Sequence, residues 1–129
     1  MSKIVLGLLI LSSTLFSLEW TKDINTAFAL AKKEHKNVMV YVEGENCRWC
    51  KKLKHRTLSD EAVEKRLEKF VVVKVMREDP SAMSSLPSIK GVPTIFFMEA
   101  DKTVVEEVVG YFNVEDFISY INSVEKKTK

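Results

Sequence analysis

At 129 residues the chain has room for one domain and is short for two. Its 46% hydrophobic and 29% charged residues give a globular balance, which excludes a disordered chain. A formal charge of +2 leaves composition with no case for a nucleic-acid partner.

Residues 1–17 differ in character from the remainder of the chain. Lys3 precedes the apolar run Ile4–Leu11 and then Ser12-Ser13-Thr14-Leu15-Phe16-Ser17. A positive start, a short apolar stretch and a small-residue site form the pattern of a secretory signal peptide. The unbroken run falls well short of the roughly 20 residues that span a bilayer. Cleavage after Ser17 is expected, leaving a domain over residues 18–129 in the periplasm or secreted. Continuation of the apolar stretch through Phe16 and Leu18 offers the alternative of an uncleaved membrane anchor. Export also places the cysteines where they can be oxidised.

Ile24, Ala27, Phe28 and Ala31 recur at helical spacing, which predicts a helix over 21–36. Thr21 or Asp23 would cap it and Asn37 would stop it. Val38-Met39-Val40-Tyr41-Val42 is short, apolar and β-branched, a buried strand. After Glu43-Gly44-Glu45-Asn46 a helix is expected from Cys47 to Leu53, capped by Asn46. Thr57-Leu58-Ser59-Asp60 should interrupt it, and Ser59 or Asp60 should start the next helix, with Ala62, Val63 and Leu67 inward. Phe70–Val75 predicts a second buried strand. Asp79-Pro80 predicts a short helix to about Leu86, with Asp79 as cap. Pro87, Gly91 and Pro93 punctuate a loop. Thr94–Met98 and Thr103–Val109 predict two more strands, antiparallel across the short Glu99–Lys102 link. Asn113 should cap a last helix with Val114, Phe117, Ile118, Ile121 and Val124 inward, fraying from Glu125. Helix-length crossovers make the first two strands parallel and the hairpin adds an antiparallel edge. The expected fold is α/β, a central mixed four-stranded sheet with helices on both faces.

Cys47 and Cys50, the chain's two cysteines, stand just past the C-terminal end of the first predicted strand, where open α/β sheets place their sites. Separated by three positions, they share a face at a helix start. A structural disulfide here would close a very small ring and constrain the unfolded chain little. A structural zinc site needs about four ligands, and His35 and His55 are distant in sequence; haem attachment needs histidine where Lys51 stands. No metal site is expected. Helix starts and neighbouring cations favour thiolates, and Arg48, Lys51, Lys52 and Lys54 follow Cys47. Lys51, Lys52, Lys54 and Arg56 read as a solvated helix face.

A Cys-x-x-Cys between strand and helix, followed later by Gly91-Val92-Pro93-Thr94 opening a strand, resembles the thioredoxin superfamily. Val38-Met39-Val40-Tyr41 before the motif and Thr57-Leu58-Ser59-Asp60 after it are similar to the C-terminal thioredoxin-like domain of DsbD. They are equally similar to small exported thioredoxin-related proteins of the SoxW kind. The likeness covers roughly residues 20–123. It implies a thioredoxin fold and dithiol–disulfide exchange, with Cys47 as nucleophile and Cys50 as resolving cysteine. It further implies a cis Val92–Pro93 bond opposite the cysteines, with Val92, Pro93 and Thr94 docking substrate. Arg48, Trp49 and Glu43 would modulate the pair. No small-molecule cofactor is implied beyond the redox-active disulfide. The implied partners are a disulfide-bearing protein substrate and an upstream redox protein, met by a monomer. The implied direction is that of a disulfide reductase. A disulfide oxidase or isomerase stays open, as does a non-catalytic redox-sensing, chaperone or metal-carrying module. Two positions depart from the family pattern. Tyr41 stands where thioredoxins carry a buried aspartate, and Asn46 where they carry tryptophan.

Overall fold

The computed structural model describes residues 18–129 together with Gly7; the rest of the expected leader, residues 1–17, lies outside them. Among the described residues ten regular elements succeed one another: β1 (Trp20–Thr21), α1 (Ile24–Glu34), β2 (Asn37–Glu43), α2 (Arg48–Leu53), α3 (Glu61–Leu67), β3 (Phe70–Met76), α4 (Pro80–Met83), β4 (Thr94–Met98), β5 (Val104–Val109) and α5 (Val114–Lys127). A π-helical segment, Lys54–Leu58, continues α2.

The strands form one mixed sheet in the order β1-β3-β2-β4-β5. β3 runs parallel to both β1 and β2, while β4 is antiparallel to β2 and β5. The sheet therefore has five strands rather than the four expected. The extra one, β1, is two residues long and too short to show a period, and it takes Thr21 from the helix predicted there.

Strand parity splits the core in two. Met39, Tyr41, Phe70, Val72, Ile95 and Phe97 face one side, covered by α2, α3 and α5 through Leu53, Val63, Leu67, Phe117, Ile121 and Val124. Val38, Val40, Val42, Val71, Val73, Val75, Phe96 and Met98 face the other, covered by α1 through Ile24, Ala27, Phe28 and Ala31. Residues Val38 to Val42 of β2 have no solvent exposure at all. Each such large aliphatic or aromatic side chain contributes about 1.5–3 kcal/mol of burial free energy, which makes β2 the rigid centre from which the cysteine loop leaves.

Several boundaries move from their sequence positions for tertiary reasons. α1 ends at Glu34 because His35 turns left-handed (φ 56°), and Asn37 opens β2 instead of stopping the helix. Helical backbone runs on past Leu53 to Leu58 because Thr57 and Leu58 are buried. The Thr57 hydroxyl donates to the Phe112 carbonyl at 2.6 Å. The break falls at Ser59, and Asp60 caps α3 by accepting from Ala62 and Val63. α4 stops at Met83, short of Leu86. α5 does not fray at Glu125 but continues to Lys127. Its end is held by Arg66–Glu125 and Lys127–Glu106 ion pairs at 3.0 and 2.8 Å, and by Asn37 donating to Thr128 Oγ1.

Candidate active site

β2 delivers the chain to the site. Beyond Glu43, its last residue, the loop is pinned to the one after β3: Arg77 N–H donates to the Glu43 carbonyl at 2.7 Å, and Glu45 N–H to the Glu78 carboxylate at 3.1 Å. Gly44 gives a close fit at this crossing, where a Cβ would sit 3.1 Å from Val92 Cγ2. Asn46 takes a left-handed turn (φ 54°) and does not cap the helix. Cys47 is the N-cap itself, its sulfur accepting from the Cys50 N–H at 3.1 Å. The cap position has a chemical consequence, because a cap sulfur faces a backbone donor that stabilises negative charge on it.

Cys47 and Cys50 are joined in a disulfide, their Cα atoms 5.2 Å apart. The two ends are unequal. Cys47 is half-buried at the start of the helix, whereas Cys50 is 2% exposed and belongs to the core beneath α2. A reagent from solvent therefore meets the Cys47 side of the bond. Arg48 is exposed beside it.

Trp49 is 49% exposed, yet its ring is braced. Tyr111 lies 5.9 Å away and the Lys52 ammonium sits 4.6 Å over the indole. Contacts of this kind are worth about 0.5–1 kcal/mol each at exposed sites, enough to hold an ordered platform beside Cys47. Lys51 and Arg56 are exposed as the sequence implies, but Lys52 and Lys54 are half-buried.

Val92, Pro93 and Thr94 arrive from the far side of the sheet centre. The Val92–Pro93 bond is cis. Val92 is half-buried and packs on the same cluster as Cys47. Pro93 is buried, and its carbonyl accepts from Gly110 N–H at 2.9 Å. Thr94 is fully buried in the ladder between Val42 and Val109, its hydroxyl donating to the Gly91 carbonyl at 2.7 Å. Of the three, Val92 is the one that reaches the surface.

Beneath the disulfide lies a polar group that sequence spacing does not assemble. Tyr41, fully buried, donates its hydroxyl to the Cys50 carbonyl at 2.9 Å. Burial, and then the Glu43 carboxylate, raise its pKa above the ordinary phenol value. Lys74 pairs with Tyr41 across β2 and β3 and lies 5.5 Å from the Trp20 ring, which in turn stacks 6.0 Å from Tyr41. Desolvation, and next the adjoining Lys54, lower the pKa of Lys74, while Glu43 opposes the shift. One signal for Lys74 was present: it is the charged residue inside the apolar run Phe70–Met76. Among the described residues no three His, Cys, Asp or Glu side chains gather to hold a metal ion, and no helix is long and apolar enough to cross a membrane.

Comparison with known proteins places this arrangement. The profile of the thioredoxin-like family matches residues 19–100. The thiol:disulfide interchange protein DsbD of Actinobacillus pleuropneumoniae is 29% identical over 101 residues, covering 74% of this chain but 17% of that protein. Anterior gradient protein 3 of Xenopus tropicalis is 30% identical over 97 residues, covering 74% of this chain and 58% of that one. Among solved structures, a thioredoxin from Thermus thermophilus superposes with a TM-score of 0.72 at 30% identity, covering 84% and 87% of the two chains. The oxidised C-terminal domain of DsbD from Neisseria meningitidis gives 0.63 at 25% identity, covering 76% and 90%.

Proposed function

Because the chain belongs to the thioredoxin-like family, we propose that it is an exported thiol–disulfide oxidoreductase that reduces disulfides in protein substrates. The observation that carries this reading is the inequality of the pair: a disulfide with Cys47 at the surface cap of α2 and Cys50 buried below it. In the dithiol form the Cys47 thiolate attacks one sulfur of a substrate disulfide, giving a mixed disulfide and releasing the other substrate sulfur as a thiolate. Cys50, having lost its proton, attacks Cys47. The Cys47–Cys50 bond forms, the mixed disulfide breaks, and the second substrate sulfur leaves with its electron pair. The dithiol loses two electrons and the substrate gains them, so an upstream dithiol protein must restore the cycle.

Arg48 supports the Cys47 thiolate from the surface, and Trp49 on its Tyr111 and Lys52 brace supplies an apolar platform for the substrate chain. Val92 is the docking residue that a substrate strand reaches, on backbone positioned by Pro93 and Thr94. Glu43 modulates the pair from below through Tyr41 and Lys74. The leader-like pattern of residues 1–17 supports export to the periplasm or beyond. Among the described residues the exposed large hydrophobic side chains are Trp49, Val104 and Val109, a distribution that supports a monomer. The reductase direction is supported by the likeness to DsbD, of which this chain matches a small part.

Insulin-disulfide reduction driven by dithiothreitol tests the chemistry. Wild type should accelerate it and Cys47→Ser should not; equal rates in both would sink the reading. Equilibration with glutathione tests the direction, and a reduction potential near about −120 mV would mark an oxidant instead.

A further inference from the structure

From Cys47 to Ser59 the chain carries Arg48, Lys51, Lys52, Lys54 and Arg56 and no carboxylate. Arg48, Lys51 and Lys52 recur at i, i+3 and i+4, and His55 and Arg56 continue the spacing, so these groups share one side of the helix. Arg48, Lys51, His55 and Arg56 are exposed on it. Two features separate this stripe from an ordinary solvated face. Its cations are unpaired: among the described residues the ion pairs are Lys36–Glu34, Arg66–Glu125, Arg77–Glu78 and Lys127–Glu106, and none includes a member of the stripe. One cation is also held in place, since the Lys52 ammonium lies 4.6 Å over the Trp49 ring and 5.7 Å from that of Tyr111, on the platform beside Cys47. On the chain before Cys47 the sign reverses. Glu43 and Glu45 precede the cysteine, and the Glu45 N–H donates to Glu78, whose carboxylate pairs with Arg77. The accessible end of the disulfide therefore lies where an acidic loop gives way to a basic helix.

We propose that this basic stripe selects protein substrates that carry acidic side chains close to the disulfide that Cys47 attacks. The inference rests on the exchange reading above and deepens it by naming the substrate class. Charge complementarity at an exposed surface acts on the encounter, raising association rates by about tenfold or more at low salt. Helix geometry sets its reach. Arg56 stands nine residues beyond Cys47, roughly 13 Å at an ordinary helical rise. An extended chain covers that distance in about four residues, so the selecting acids lie within that span of the substrate cysteine. Lys51 and Lys52 meet the nearest acid beside the Trp49 platform, and Arg56 the farthest. Such a stripe would also draw an anionic membrane. It begins, however, at the residue that must meet a substrate sulfur, and a membrane seated there would cover the disulfide. The exchange itself is unchanged: the dithiol gives up two electrons, and the acidic substrate leaves as two thiols.

The probes are short glycine–serine peptides whose single cysteine is joined to mercaptoethanol as a disulfide and flanked on both sides by Asp, by Asn or by Lys. Each rate with reduced protein is divided by that of dithiothreitol with the same peptide, which cancels the effect of the flanking charges on the peptide's own disulfide. At an ionic strength of about 0.01 M, where charges act over about 30 Å, the Asp peptide should react about tenfold faster than the Asn peptide, and the Lys peptide more slowly than either. At about 1 M, where the range shrinks to about 3 Å, the three should converge. Lys51→Gln/Arg56→Gln should cut the Asp preference to about threefold and leave reduction of the uncharged bis(2-hydroxyethyl) disulfide at the wild-type rate. Lys51→Arg/Arg56→Lys should keep the full preference, since only the charge is read. Equal rates for the Asp and Asn peptides at low salt would overturn the proposal, as would a preference that persists undiminished in the double Gln variant. Equal peptide rates together with co-sedimentation on phosphatidylglycerol vesicles would overturn it in favour of a membrane surface. Failure of wild type to reduce even bis(2-hydroxyethyl) disulfide would instead overturn the exchange reading.

Discussion

Tyr41 shows how one side chain can be structural and titratable at once. Its hydroxyl donates to a carbonyl that also takes the Lys54 N–H of the helix, so Tyr41→Phe leaves that acceptor partnered. The expected loss is about 1 kcal/mol, the net worth of an ordinary hydrogen bond, read from the urea midpoint. A pH scan gives a second readout. Burial first, then Glu43, hold the Tyr41 pKa above that of a free phenol. The unfolded chain ionises this group near about pH 10 while the folded one keeps the proton. The linkage slope is then negative: the contribution is complete below that pH and is lost as pH rises towards the folded value. Stability of wild type should fall along this alkaline arm, and the fall should be shallower in Tyr41→Phe. Position 41 was legible in the sequence as a departure from the family pattern, because spacing from Cys47 identifies it. The bond to Cys50 was not, since it depends on how far α2 lies above the sheet. Lys74 was similarly half-legible. A charge in an apolar strand is visible in sequence, but its neighbours Trp20 and Lys54 come from elements distant along the chain.

At the level of elements every helix cap but that of α2 was legible and many of the ends were not. Asp23, Asp60, Asp79 and Asn113 each accept backbone N–H groups two or three residues ahead, a relation confined to one turn. Asn113→Ala should therefore cost about 1 kcal/mol in chemical denaturation and leave insulin-disulfide reduction in place, since the cap lies outside the cysteine pair. The ends that moved are decided elsewhere. Thr57 prolongs helical backbone because Phe112 offers it a carbonyl, and the last turn of α5 persists because Glu106, Arg66 and Asn37 reach it. Cys47 became a cap in place of Asn46 because the loop from β2 is drawn down onto Arg77 and Glu78. β1 has no sequence signature because two residues carry no period, yet it brings Trp20 to the floor of the site.

Across the whole molecule, the alternation along β2, β3 and β4 produces two cores that share one sheet. Phe97 lies at the centre of the core on the cysteine side, its ring 5.5 Å from Phe70 and 6.0 Å from Phe117. Phe97→Ala should cost about 3–5 kcal/mol, a large share of the roughly 5–15 kcal/mol typical of a domain. Calorimetry should show the melting temperature fall accordingly. The same sheet raises one end of β2 to the surface and lets the helix beyond it hide its second cysteine one turn later. With Cys47 at the boundary and Cys50 sealed 2% exposed beneath it, the proposed exchange would make the protein a monofunctional reagent towards every other molecule and a bifunctional one only towards itself. Cross-linking of two partners through one copy would thereby be closed off, and each encounter would end in either release or self-closure.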